Sequence, residues 1–433
     1  VGSRAARRER LTAADASNIV IDAPDQVNAF LMAGVLAPGG PIGTEGEVDV
    51  AALRASFAGV IPSEPRLSQR VVPDGRRFAW AAAPVDLEAH VRLVAPVDGL
   101  AGFEALCARL MVTAMPTDRP LWEVLLVPGV ARRRVGVVLR IHHAMADGLA
   151  AVRLVESLLR APGVGATGPD GSTSSEHDAA STSADDRARR GARERMRTIA
   201  SGIERTIAVF RPAVPHTVLL GRIGPRRGVA FVDAPLDALA AGAATVGATV
   251  NDALLAAVVA AAEAALRARG EPVPPVLPVS VPVALAARGR SGNAVGVMLV
   301  PLPTGEPDVA ARLARIAALT RARKADARAR GQFELTRTRL GTVLFRRFVR
   351  YQRLIVTFVT NVPGPRHPLA LAGAPLERVW PVGAIQGNVR LGVAALSYDG
   401  MLRCGVHCDA DALSAGVFGA ALRHELDAVA ALA

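Results

Sequence analysis

Two patterns of apolar residues alternate along the chain. Short blocks rich in Val, Ile and Leu stand at 135–141, 229–232, 276–283, 295–302, 354–359 and 389–396. Their length and β-branched content predict strands. Between them, apolar residues recur at helical spacing over 149–159, 236–244, 249–269 and 309–330. Thr249 and Asn251 are candidate caps for the third of these helices, since a short polar side chain takes up free backbone N–H groups. Strands and helices mixed throughout predict an α/β chain of mixed sheets flanked by helices.

The pattern fails after residue 160. The segment Ala161-Pro162-Gly163-Val164-Gly165 opens a stretch that continues into Ser, Thr, Asp and Ala up to residue 186. Few apolar side chains and many breakers predict a flexible linker over 161–195, disordered over Ser172 to Asp186. It joins an N-terminal half, 1–160, to a C-terminal half, 196–433. Gly163, Gly165 and Gly168 spell a formal G-x-G-x-x-G. They follow a helix instead of a strand and lead into a polar tract, which argues against a dinucleotide site. Residues 187–210 read as a basic, partly amphipathic helix. A solvated helix packed on one face is the plain reading. Contact with an anionic membrane or lipid-droplet surface is the sharper one.

Composition narrows the function classes. The chain has 433 residues, 51% of them apolar, enough for large cores and for two or three domains. No run of 18 uncharged apolar residues occurs, so no spanning helix is expected. The basic residues at the N-terminus lack a following apolar segment and do not read as a secretory signal. Cys107, Cys404 and Cys408 make no disulfide framework, which fits the cytoplasm. On a strand, Cys404 and Cys408 would share one face and His407 the other, a poor arrangement for zinc; no metal is expected. The net charge is +12, carried almost wholly by arginine, with Lys324 the one lysine. Such a chain attracts anionic partners. No basic motif with interleaved aromatics points to nucleic acid.

The candidate chemistry lies at His142-His143-Ala144-Met145-Ala146-Asp147-Gly148. The segment follows a strand block and precedes a helical one. Adjacent side chains at a strand end point to opposite faces, so one histidine can face a cleft while the other orients it. Imidazole exchanges its proton most easily near neutral pH. Asp147 can fix the corner by pairing with an arginine, and Gly148 leaves room for close approach. A core or surface histidine at a strand end is the plain alternative.

The full pattern His-His-x-x-x-Asp-Gly resembles the signature of acyltransferases with the two-domain chloramphenicol-acetyltransferase-like fold. Further blocks, in order, resemble the bacterial wax ester synthase/diacylglycerol acyltransferase family. They are Leu11-Thr12-Ala13-Ala14-Asp15-Ala16, Asp118-Arg119-Pro120-Leu121-Trp122-Glu123, Gly247-Ala248-Thr249-Val250-Asn251-Asp252, Pro278-Val279-Ser280-Val281 with Gly292-Asn293, Thr360-Asn361-Val362-Pro363-Gly364-Pro365 and Ser397-Tyr398-Asp399-Gly400. Leu220, Pro282 and Ala384 depart from the family pattern and leave acceptor and chain-length preference open.

The resemblance implies an active-site tunnel between the halves, with His143 as base, His142 supporting it, and Asp147 paired with an arginine, Arg70 being the candidate. A triad with Asp147 on the reacting histidine stays open on spacing alone. Asn251, Asp252 and Asn361 would support the site; as helix caps and a turn residue they have an equally good structural reading. Trp122 and Glu123 read as core and interface residues. One neutral histidine can take the acceptor's hydroxyl proton and return it to the leaving thiolate. No G-x-S-x-G elbow is present, so direct transfer is expected. The implied donor is acyl-CoA, a co-substrate, with no resident cofactor. The implied acceptor is diacylglycerol or a long-chain alcohol, giving triacylglycerol or wax ester. An enzyme of specialised metabolism using a non-lipid alcohol or a carrier-protein thioester, and a non-catalytic lipid-surface protein, are the alternatives. Oligomeric state is not legible in the sequence.

Overall fold

A computed structural model describes residues 8–23, 26–75, 77–146, 154–159, 214–284, 295–330, 347–365 and 367–433. Asp147, Gly148, the expected linker 161–195 and the basic stretch 187–210 lie outside the described residues, as do Gly292 and Asn293.

The strands are β1 (Glu9–Arg10), β2 (Ala29–Leu36), β3 (Gln69–Asp74), β4 (Arg77–Ala82), β5 (Val91–Leu93), β6 (Trp122–Ala131), β7 (Arg134–His142), β8 (Arg227–Pro235), β9 (Val276–Ala284), β10 (Val295–Pro303), β11 (Thr357–Val362), β12 (Ala370–Leu371), β13 (Ala374–Val382), β14 (Leu391–Tyr398) and β15 (Met401–Asp409). They form a first six-stranded sheet, β12-β13-β2-β7-β6-β5, a second, β10-β9-β11-β14-β15-β8, and a small sheet, β1-β4-β3. Among the described strands only β5–β6, β11–β14 and β11–β9 pair in parallel. The mixed α/β expectation therefore holds.

The central strands of the first sheet are covered on both faces, which explains their unbroken apolar runs. Every residue of β2 is buried, and so is all of β7 after Arg134. Alternate side chains part to opposite cores. Val135, Val137, Leu139 and Ile141 join Leu53 and Phe57 of helix Val50–Val60. Val138 joins Phe103 and Cys107 of helix Gly99–Leu110. In the second sheet, Val279, Val359, Val393 and Cys404 pack against helices Val250–Ala268, Val309–Arg330 and Ala415–Ala430.

Between the sheets lies a third core, and β13 builds it. This strand comes from late in the chain, yet it pairs with β2 in the first sheet. Its Trp380 stacks on Phe231 of β8, ring centroids 4.5 Å apart and planes 9° from parallel. Trp380 Nε1–H donates to Asp233 at 2.5 Å, and Arg403 pairs with the same carboxylate at 2.8 Å. At Gly405 the backbone of β15 comes so close to β13 that an added Cβ would overlap the Pro381 carbonyl. Helix Gly99–Leu110 also fills this space; its Glu104 accepts the Phe231 N–H of edge strand β8 at 2.7 Å.

Two of the sequence blocks resolve into structural devices. Asp399 and Gly400 both have positive φ, 49° and 68°, the two-residue turn that matches hairpin twist between β14 and β15. Beside it, Tyr398 Oη accepts from Leu369 N–H at 3.0 Å and donates to the Leu376 carbonyl at 2.7 Å, tying the second sheet to β13. The strand expected at 354–359 begins three residues later. Gln352 Oε1 accepts the N–H groups of Leu354 and Ile355, at 2.7 and 3.0 Å, and withholds them from the ladder. Asn361 therefore lies within β11, opposite Ala395, and not in the following turn.

Two predictions follow from this packing. Gly405→Ala is expected to destabilise the protein by about 1–3 kcal/mol through overpacking of the sheet interface; an unchanged urea midpoint would contradict that packing. His90 and His407 are both about 1% exposed. Burial lowers the pKa of each, that of His407 to about 3. The unfolded chain, with histidine near 6.5, binds these protons first. Stability from the two neutral rings is full above pH ~6.5 and is lost as pH falls toward their folded values. The urea midpoint should decline across pH 6.5 to 4, and the His407→Leu variant should show a shallower decline.

Candidate functional site

The site is built where β7 runs out. His142 is its last residue, paired in register with Ala29 at the start of β2. His143 continues the ladder one step further, donating its N–H to the Asn28 carbonyl at 2.9 Å. The chain then turns, with Met145 N–H bonded to the His142 carbonyl at 2.9 Å. His142 is fully buried and His143 half-buried.

Helix Ala13–Ile21, capped by Thr12 Oγ1, presents the side chains that hold this turn. Its C-cap residue Asp22 binds twice. Oδ1 accepts Asn28 N–H at 2.7 Å, and Oδ2 lies 2.9 Å from His142 Nε2. On the other side of the ring, His142 Nδ1 accepts Ala144 N–H at 3.0 Å. That acceptance places the ring proton on Nε2, which donates to Asp22. Asn28 Nδ2 donates to both the carbonyl and the side-chain oxygen of Asn18, at 3.2 and 3.0 Å. Asn18 Nδ2 in turn donates to the His143 carbonyl at 3.2 Å. Both backbone groups of His143 are thus fixed, and its ring lies 5.1 Å from Phe30. Burial, then the neighbouring His142, pull the His143 pKa down to about 4, with Asp22 opposing. His143 is a neutral imidazole at physiological pH.

The neighbouring Pro-Leu-Trp-Glu block supports the strand. Trp122 is buried, donates Nε1–H to the Leu67 carbonyl at 2.9 Å and stacks on His90. Glu123 pairs with buried Arg140 at 2.9 Å and with Arg92 at 2.6 Å. Against burial, which would raise it, these arginines hold Glu123 below the usual carboxylate range.

The other sequence candidates sit elsewhere. Arg70 lies on β3, and Asp147, its expected partner, is outside the described residues. Asp252 closes a capping box with Thr249 and accepts from Thr320 Oγ1 at 2.6 Å. Asn251 lies one residue earlier in the same first turn. Among the described residues, none of Arg70, Asn251, Asp252 and Asn361 is hydrogen-bonded to either histidine. Cys404 and Cys408 are buried under the helices of the second sheet, and His407 faces away, donating Nδ1–H to the Gly383 carbonyl at 2.7 Å. No group of three or more His, Cys, Asp or Glu among the described residues is placed to hold a metal. No described helix is long and apolar enough to cross a membrane. The polar clamp of Asn18, Asp22 and Asn28 was missed by motif reading. Its signal is the apolar Ile19-Val20-Ile21 bracketed by Asn18 and Asp22 at a helix end.

Residues 11–254 match the wax ester synthase/diacylglycerol acyltransferase catalytic domain, and residues 291–428 the C-terminal domain of the same family. A putative diacylglycerol O-acyltransferase of Mycobacterium bovis is 33% identical over 364 residues, 77% of each chain. One of Mycobacterium tuberculosis is 28% identical over 403 residues, 84% of each. Among solved structures, the wax ester synthase/diacylglycerol acyltransferase of Marinobacter aquaeolei VT8 shares the fold with a TM-score of 0.70 at 22% identity, covering 98% of this chain and 100% of that one. The first condensation domain of the calcium-dependent antibiotic synthetase does so with 0.62 at 18%, covering 98% and 96%. The chain belongs to the wax ester synthase/diacylglycerol acyltransferase family and is an acyltransferase of the two-domain chloramphenicol-acetyltransferase-like fold.

Proposed function

We propose that this enzyme moves a long-chain acyl group from acyl-CoA to the hydroxyl of diacylglycerol or a long-chain alcohol, with His143 as general base. The observation that supports this reading most is the state of His143. It stands just past a buried strand, half-open to solvent, with its backbone fixed at both ends and its ring unprotonated. In the proposed step His143 takes the acceptor's hydroxyl proton as the oxygen attacks the thioester carbonyl. The tetrahedral intermediate collapses, the C–S bond breaks, and the proton passes from His143 to the CoA thiolate. One ester and one thiol result, and the base is regenerated. His142 orients this corner through Asp22 and makes no contact with the reacting atoms. The net charge of +12 supports a further part of the proposal, contact with an anionic membrane or lipid-droplet surface where such acceptors reside.

Thiol release from acyl-CoA, with identification of the ester, tests the reaction on diacylglycerol, long-chain alcohols and non-lipid alcohols in parallel. His143→Ala should lower kcat by about a hundred- to ten-thousandfold while the unfolding midpoint stays near wild type; wild-type turnover in this variant would refute the mechanism. Because the base is neutral above its pKa of about 4, kcat/KM should be flat from pH ~5.5 upward in this limb and fall as pH drops through about 4. An acidic limb near 6.5 that vanishes in His143→Ala would show an unperturbed histidine instead.

Asp22→Asn keeps an oxygen for Asn28 N–H and turns an amide N–H toward His142 Nε2–H. Two donors then face each other, and the ring must give up its tautomer or its position. Loss of one charge-assisted hydrogen bond of about 1.5–3 kcal/mol corresponds to a fall in kcat of about ten- to a hundredfold, with KM little changed. Imidazole nitrogen shifts report the tautomer; an unaltered His142 signal with normal kcat would remove Asp22 from this role.

A further inference from the structure

A cleft of about 470 Å³ lies beside the segment that precedes β2, whose first residue pairs with His142. Its lining includes Gln26, Arg222, Arg350, Tyr351, Arg353 and Asn388. Gln26 belongs to the segment that carries Asp22 and Asn28. Its side chain spans the two halves, accepting Gly387 N–H at 2.9 Å and donating to the Gly387 carbonyl at 3.2 Å. The cleft therefore adjoins the segment that clamps the histidines and lies across the junction of the sheets.

Its chemistry is one-sided. Among the described residues that line it there is no carboxylate. Among the described residues, no acidic side chain pairs with Arg222, Arg350 or Arg353; Arg353 uses only its Nε–H, toward the Val214 carbonyl at 2.7 Å. Four arginines covered by the fold, Arg140, Arg312, Arg390 and Arg403, do each have a carboxylate partner. Three guanidinium groups left around one cleft make a site for a ligand with several negative charges, and guanidinium forks match phosphate oxygens. Tyr351, 71% exposed, stands at the rim with Arg347 5.6 Å from its ring. An exposed aromatic beside cations offers a stacking face for a planar base. The volume falls in the range of roughly 300–1,000 Å³ that suits a small organic ligand and exceeds what a lone phosphate needs.

We infer that this cleft binds the phosphorylated adenosine end of the acyl donor, with phosphates on Arg222, Arg350 and Arg353 and the base against Tyr351. The inference rests on the donor assigned above and adds a choice: the enzyme reads its donor by the nucleotide, and so uses free acyl-CoA in preference to a carrier-bound thioester.

The test has a binding arm and a kinetic arm. Adenosine 3′,5′-bisphosphate, titrated by calorimetry, should bind the wild-type protein, and the double variant Arg222→Gln/Arg350→Gln should bind it at least tenfold more weakly. Both arginines are exposed, so the variant is expected to fold, which the unfolding midpoint checks. In the kinetic arm, wild type should favour acyl-CoA over the same acyl-pantetheine in kcat/KM. In the double variant that preference should collapse at least tenfold, while Arg132→Gln, remote on the β6–β7 turn, keeps it. Failure of the bisphosphate to bind, or an intact preference in a folded double variant, overturns the inference and leaves the acyl-transfer reading standing. Inorganic phosphate binding as tightly as the bisphosphate, or phosphatidylglycerol vesicles binding through these arginines when the bisphosphate does not, overturns it in favour of a simple anion or a lipid headgroup. If no acceptor yields ester, the reaction proposed above fails, and the binding arm still decides this site.

Discussion

The fold depends on one strand serving two masters. β13 is hydrogen-bonded into the first sheet and packed face-on against the second, with the Trp380–Phe231 stack and the Asp233–Arg403 pair at its centre. A residue with a side chain at 405 would hold the sheets apart. With glycine there, backbone meets backbone and the interface closes to core density. The position of the first sheet against the second is then fixed through a strand that comes from late in the chain. This is what brings the 22–28 segment of one half against Gly387 of the other.

Burial of charge follows the same economy. Arg140 is about 1% exposed and lies two residues before His142 on β7. A lysine there would bring a strongly hydrated ammonium into the core, whereas a guanidinium can share its charge among Glu123 and the Thr113 carbonyl. Such a pair adds little net stability over an apolar replacement, but loss of one partner is costly. The strand carrying the histidines is thus pinned by a polar contact from the interdomain side and by aliphatic packing from the other. The arginine-rich composition, which in the sequence says only that anions are attracted, includes in the structure paired interior groups such as Arg140 and Arg403 and three at the cleft that no described carboxylate pairs.

Much of the α/β alternation was legible because long periodic segments carry their own signal. Helix Val309–Arg330 and strand β9 fall almost where the apolar pattern put them. β11 was displaced because a side chain, Gln352, competes for backbone donors, an interaction no periodicity reveals. The membership of β13 was illegible for a different reason: its apolar pattern says that it is buried, but not against which sheet. At the site, the histidines were legible as a motif, whereas Asn18, Asp22 and Asn28 were not. They act through single hydrogen bonds to groups more than a hundred residues away for Asn18 and Asp22, and isolated Asn and Asp near a helix end read as caps. Asp252 shows the converse, for its visible bonds are those of a cap.

The clamp also explains how a histidine with a pKa near 4 can be held in place without being charged. A base packed against Phe30 and half-covered by the fold loses part of its hydration, and an imidazolium there would be costly. If a carboxylate touched His143 directly, it would raise the pKa and fill the acceptor's position. Here the carboxylate is set one residue away, on His142, where it fixes the turn and contributes only its field to His143. Among the described residues no hydrogen bond reaches the His143 ring, while its backbone N–H and C=O are both tied. On the proposed reading, placement and reactivity fall to different groups: the amides and Asp22 supply the first, and the imidazole of His143 the second.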